Sequence, residues 1–191
     1  MHIRQLSMPI LFLLLSAADT CAQSSSSFSL EPIKPYAKGN WDLSVHAAYT
    51  HPTHFDRHQL IQGVFGAGYA PINNIQLSGE IVGIYVAPDV QGGEGWGGGM
   101  NLRSRFQLFQ FGRSNFFLDL SAGWMETDHP LPAKGTHFNF TETAGLGFSI
   151  PLNENFFLLA GGRFQHVSNA GISRNPGYDG VQAYFGLMLA L

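Results

Sequence analysis

From Trp41 onward the chain alternates apolar and polar residues with a period of two. Trp41, Leu43, Val45, Ala47 and Tyr49 alternate with Asp42, Ser44, His46, Ala48 and Thr50. Met100, Leu102, Phe106 and Leu108 alternate with Asn101, Arg103, Arg105 and Gln107, and Phe138, Phe140, Ala144, Leu146 and Phe148 with Asn139, Thr141, Thr143 and small glycines. Side chains two apart share one face of a strand, so this pattern predicts strands with one apolar and one polar face. Eight such segments are expected, at 41–50, 58–70, 75–87, 96–109, 115–127, 136–150, 155–168 and 178–191. They are long against the mean strand of about 5–6 residues and suit the roughly 9–11 needed to cross a bilayer.

The connections alternate in length. Residues 71–74, 110–114 and 151–154 are short turns; 51–57, 88–95, 128–135 and 169–177 are longer. Short turns at one end and long loops at the other is the layout of an outer-membrane barrel. The predicted fold is therefore all-β, an eight-stranded antiparallel transmembrane β-barrel covering 41–191. Trp41, Trp96, Trp124, Tyr49 and Tyr69 are expected near strand ends, as interfacial aromatics.

Composition separates this barrel from a soluble one. Charged residues make up 12% of the 191 residues, against roughly 25% in soluble domains. A lipocalin-like barrel also has eight strands but needs a charged exterior. Here Gln76, Glu80, Arg103, Arg105, Gln107, Asp119 and Arg163 fall on the polar face, which suits a small polar lumen with lipid outside. The net charge of −3 offers no basic footprint for nucleic acid.

The first residues carry an address. Arg4 precedes the apolar run Pro9–Ala17, and Thr20-Cys21-Ala22 supplies small residues before Gln23. Residues 1–22 are expected to be a secretory signal peptide, too short for a spanning helix, and 23–40 a loose polar linker. Cys21, the only cysteine, would leave with the signal; Ala18-Asp19-Thr20 before it makes a poor lipoprotein acylation site. Export places the barrel in the bacterial outer membrane.

The chemical candidates lie in strand seven and the loop after it. Arg163 and Gln165 have lumen parity, which turns Phe164, His166 and Ser168 toward lipid. A serine hydroxyl becomes a nucleophile when an imidazole takes its proton and a carboxylate fixes the imidazole tautomer. Asp179 shares the parity of Leu187, Leu189 and Leu191 and enters beside strand seven. Asn169, Asn175 and the backbone N–H groups near Gly171 lie between and are candidates for holding an oxyanion. Glu142 is a second candidate acid: it has lipid-facing parity in strand six, where a charge is costly, and hairpin counting brings it near Phe164 or His166.

The stretch Arg163-Phe-Gln-His-Val-Ser-Asn-Ala-Gly-Ile-Ser-Arg-Asn-Pro-Gly-Tyr-Asp179 resembles the lipid A 3-O-deacylase family. That family is an eight-stranded outer-membrane barrel with a Ser-His-acid triad on its outer face. Its motif is His-x-Ser-Asn, a glycine-containing loop, then Asn-x-Gly and an acid. The resemblance implies His166 as general base, Ser168 as nucleophile, and loop-shaping or oxyanion roles for Asn169 and Asn175. It departs from the family in its acid, Asp179 where glutamate is typical, one residue closer to the histidine. The implied activity is hydrolysis of the 3-O-linked acyl ester of lipid A, with lipopolysaccharide as substrate and no cofactor or metal. The alternatives are a non-catalytic barrel serving envelope integrity or adhesion, and a barrel acyltransferase acting on the same lipid.

Two further clusters take plainer readings. His51, His54 and His58 surround Pro52 and are expected in a solvated outer loop, not around a metal. The run 92–99 lacks the Lys-Ser/Thr of a phosphate cradle and reads as a loop and strand start.

Overall fold

The structure is a computed structural model; it describes residues 33–53, 58–88, 94–132, 134–172 and 175–191. The expected signal peptide, Cys21, residues 23–32, His54, Gly92 and Gly93 lie outside the described residues.

Eight antiparallel strands close into one barrel in chain order. They are β1 (Trp41–Pro52), β2 (Gln59–Ile72), β3 (Ile75–Ala87), β4 (Gly95–Phe111), β5 (Ser114–Leu131), β6 (Thr136–Pro151), β7 (Phe156–Ser168) and β8 (Tyr178–Ala190). Closure is by β1 on β8, with Leu43 opposite Leu189 and Thr50 opposite Gln182. Every expected strand is present, within a few residues at each end.

The largest difference falls at the outer end of β5. It runs on to Leu131 and β6 begins at Thr136, so the long loop expected at 128–135 shrinks to 132–135. Trp124 accordingly lies inside its strand, not near an end. The register breaks between Glu126 and Leu131, and this irregularity hides the extension from strict alternation. His58, expected in solvent, is buried; the Tyr178 hydroxyl donates to its carbonyl at 3.0 Å.

The outward face is apolar around the barrel. Leu102, Ile81, Leu146, Phe185, Val181, Phe65 and Val45 are all exposed, Leu102 by 76%. In water such a belt would far exceed the few hundred Å² of apolar patch that soluble monomers show. It is the surface a bilayer covers.

The lumen is filled. At its middle Arg105 makes a two-pronged ion pair with Asp119 at 2.7 and 2.8 Å. Arg163 reaches the same carboxylate at 3.0 Å, and Arg103 pairs with Glu80 at 2.8 Å. The Arg105 guanidinium also lies over Phe117 and that of Arg163 over Tyr184. Nearer the outer loops, the Gln182 amide donates to Thr50, Gln62 and Gln165. Apolar clusters lie on either side of this polar layer. One holds Leu60, Val64, Val86, Met125, Leu131, Val167 and Tyr178; the other holds Tyr36, Phe117, Phe157, Leu159, Tyr184 and Met188.

Tyr36 belongs to the segment expected as a linker. Residues 34–36 form a 3-10 turn that closes the end of the barrel opposite the long loops. The Tyr36 carbonyl accepts from Asn74 N–H at 2.8 Å, and Gly39 N–H donates to Ala70 at 2.8 Å. Lys34 Nζ donates to Asn155 at 2.5 Å, and Asn40 donates to the Lys34 carbonyl.

Candidate active site on the lipid face

Strand register assembles the site from three strands. His166 on β7 stands directly opposite Asp179 on β8 and directly opposite Glu142 on β6. One step nearer the outer end, Ser168 stands opposite Phe140. All of these have outward parity, so Ser168, His166, Asp179 and Glu142 share the lipid side, as expected from the alternation of β7.

One strong bond joins two of them, His166 and Asp179. His166 Nδ1 lies 2.6 Å from Asp179 Oδ1. Their side chains are 40% and 34% exposed, so the pair lines an open surface. Because Asp179 accepts at Nδ1, the Nδ1–H tautomer is favoured and Nε2 is left as an acceptor. Among the described residues, Glu142 makes no hydrogen bond to His166. Of the two candidate acids, Asp179 is the one the geometry joins to the imidazole.

Asp179 is held from both sides. Its backbone is in register with β7, and its carbonyl accepts from Thr53 N–H at 2.9 Å and Thr53 Oγ1 at 3.1 Å. The Asp179 backbone is thus fixed where the chain just past β1 meets β8 beside β7. Thr53 escapes sequence reading because it is 126 positions away in the chain and only barrel closure brings it near.

The loop after Ser168 turns at once. Ala170 and Gly171 have φ of 54° and 76°, a left-handed conformation that costs a residue with a Cβ about 1–2 kcal/mol. Asn169 is buried, and its Oδ1 accepts Gly171 N–H at 3.2 Å. Gly177, also left-handed at 77°, passes over the imidazole: a Cβ there would lie 3.7 Å from His166 Cε1.

Asn175 ties this loop to the neighbouring hairpin. Its Oδ1 accepts Gly177 N–H at 2.9 Å. Its Nδ2 donates to Asn139 Oδ1 at 2.8 Å and Thr136 Oγ1 at 3.2 Å. Both ends of the amide are occupied, so of the two roles open to Asn175, loop shaping is the one this geometry fits. Asn139, fully buried, also donates to the carbonyls of Leu131 and Thr136. Neither Asn139 nor Thr136 is marked in the sequence: Asn139 reads as ordinary lumen-side polarity and Thr136 as the polar start of a strand.

An aromatic wall flanks Ser168. Phe140 packs edge-on against Phe138 at 5.5 Å, and Phe138 stacks with Trp124 at 6.0 Å. The surface is thus a polar spot carrying a serine, a histidine and two carboxylates, set in an apolar belt and open to a molecule lying in the membrane.

Known proteins fit this architecture. The chain resembles solved outer-membrane barrels at low identity. The outer membrane enzyme PagL aligns with TM-score 0.61 and 16% identity, over 75% of this chain and 97% of that one. Neisserial surface protein A (NspA) aligns with TM-score 0.58 and 12% identity, over 85% and 98%. OprG from Pseudomonas aeruginosa aligns with TM-score 0.51 and 9% identity, over 84% and 99%. At these identities the likeness shows the fold. No curated protein matches the chain by sequence. The sequence profile of Lipid A 3-O-deacylase (PagL) matches residues 36–188, nearly the whole described barrel and all of the site. This protein is an outer-membrane β-barrel that belongs to the lipid A 3-O-deacylase (PagL) family.

Proposed function

We propose that the protein is an outer-membrane esterase that removes the 3-O-linked acyl chain of lipid A as a 3-hydroxy fatty acid. The observation that carries this reading is the 2.6 Å bond between His166 and Asp179, on the lipid face, with Ser168 two residues along the same strand. A lipid substrate reaches such a site sideways from the bilayer.

Ser168 Oγ attacks the ester carbonyl while His166 Nε2 takes the hydroxyl proton. Asp179 keeps the proton on Nδ1 and stabilises the imidazolium that forms. We assign the oxyanion to the turn that follows the nucleophile, whose backbone N–H groups other than that of Gly171, already bonded to Asn169 Oδ1, would stabilise the developing charge. The sugar 3-oxygen leaves with the proton from His166, and the acyl group stays on Ser168. Water, deprotonated by the same imidazole, then releases the fatty acid and restores the serine. Every step is proton transfer and acyl transfer among these side chains, substrate and water.

The test uses the purified, refolded barrel in detergent micelles with a synthetic glucosamine carrying a 3-O-(3-hydroxyacyl) ester. Wild type is expected to release the 3-hydroxy fatty acid and Ser168→Ala to release none. Equal release by both would overturn the assignment of the nucleophile. No release by folded wild type would overturn the esterase reading.

A further inference from the structure

A recess of about 410 Å³ lies in the outward face of β1–β4, at the end that carries the short turns. Its volume falls in the range of small-molecule sites, about 300–1,000 Å³. The candidate active site is on β6–β8 at the opposite end, so the two features are separate.

Strand register explains the recess. One outward row, Trp41–Tyr69–Leu77–Ser104, runs along the short-turn edge. In the next row Ala67 stands opposite Gly79, and Gly79 opposite Leu102. Ala67 and Gly79 carry almost no side chain, and a Cβ at Gly79 would meet nothing within 4 Å. The third row restores bulk with Phe65 opposite Ile81, 53% and 62% exposed. The small residues thus leave a dip between two rows of large ones.

Hydrocarbon gains little by exchanging one apolar surrounding for another, so the polar groups at the rim decide what this dip holds. Trp41 packs on Tyr69 at 4.8 Å, and each ring has a polar tip suited to the membrane interface. Ser104 adds a hydroxyl on the same edge. Lys38, exposed and just ahead of Trp41 in the chain, is tied to the β2–β3 turn by its N–H, which donates to Asn73 Oδ1 at 2.8 Å. From bilayer toward water the recess therefore offers an apolar floor, then hydroxyl and indole groups, then an ammonium. A phospholipid presents its parts in the same order: acyl chain, ester carbonyls, phosphate. Short turns of outer-membrane barrels face the periplasm, so the lipid at this level belongs to the periplasmic leaflet.

We propose that this recess binds a phospholipid of the periplasmic leaflet, with one acyl chain over Ala67 and Gly79 and the phosphate paired with Lys38. The site is independent of the esterase reading.

Native mass spectrometry of the refolded barrel, titrated in micelles with dimyristoyl phosphatidylglycerol, reads the bound lipid directly. Wild type should retain one molecule per barrel. Gly79→Leu fills the floor from the lipid side and should lose that molecule; Ala67→Leu repeats the block from the neighbouring strand. Heat-modifiable gel mobility confirms that each variant is folded. Wild type should hold phosphatidylglycerol roughly fivefold more tightly than dimyristoylglycerol, which has no phosphate, and Lys38→Gln should hold the two alike. Turnover of the 3-O-acyl glucosamine should be the same in all four proteins. Retention in both leucine variants equal to wild type would overturn the inference. So would an unchanged lipid preference in Lys38→Gln, or a lipid-free dimer of wild type that the leucine variants abolish.

Discussion

His166 and Asp179 face each other across the β7–β8 pair with Nδ1 and Oδ1 2.6 Å apart. The shorter acid is reached because direct pairing puts the two Cα atoms opposite one another. Asp179→Asn keeps the shape but offers a donor where an acceptor is needed, which favours the wrong imidazole tautomer. We expect kcat to fall on the order of 10²–10⁴-fold, with KM little changed. Fatty-acid release kinetics on the 3-O-acyl glucosamine check this; near-wild-type kcat would remove Asp179 from the relay.

His166→Ala should abolish turnover and leave the barrel intact. The side chain projects outward and is 40% exposed, so its loss opens no cavity in the lumen. Heat-modifiable gel mobility should match wild type. A barrel that no longer folds would make His166 structural instead.

Asn175→Ala tests the loop clamp. It removes the bonds to Gly177, Asn139 and Thr136 without touching the three groups of the relay. The β7–β8 loop would lose its tie to β6, and Gly177 its fixed place over His166. Activity should fall by roughly 10–100-fold, the scale on which small misplacements act, while the unfolding midpoint shifts little. Unchanged activity would show that the loop holds its place without the amide.

Asp119→Ala tests the lumen. It leaves Arg105 and Arg163, both buried, without their shared carboxylate. Breaking a buried pair in this way costs about 3–5 kcal/mol. Urea unfolding followed by gel mobility should show a much lower midpoint, whereas the folded fraction should keep wild-type kcat, because Asp119 faces away from the lipid-side site. An unchanged midpoint would mean that the lumen network contributes little to stability.

Much of the fold was legible because one face of each strand meets lipid and the other a packed lumen, so period-two alternation survives almost unbroken from Trp41 to Leu191. It fails where the outer ends of β5 and β6 pair beyond an irregular register, and so Trp124 and the 128–135 segment were misplaced. The site was legible in part for the same reason: parity alone turned His166, Ser168, Asp179 and Glu142 outward. Thr53, Asn139 and Thr136 were invisible because their contribution depends on hydrogen bonds between segments far apart in the chain. Tyr36 was invisible because its polar surroundings in sequence gave no sign that the lumen would take up its ring.

The most direct test is the lipid A mass spectrum of cells making the wild-type barrel or Ser168→Ala, both shown to be folded in the outer membrane. Wild type should lower the lipid A mass by one 3-hydroxyacyl chain, and Ser168→Ala should leave it whole. Intact lipid A with wild type, or a mass raised by an added acyl chain, would contradict the account.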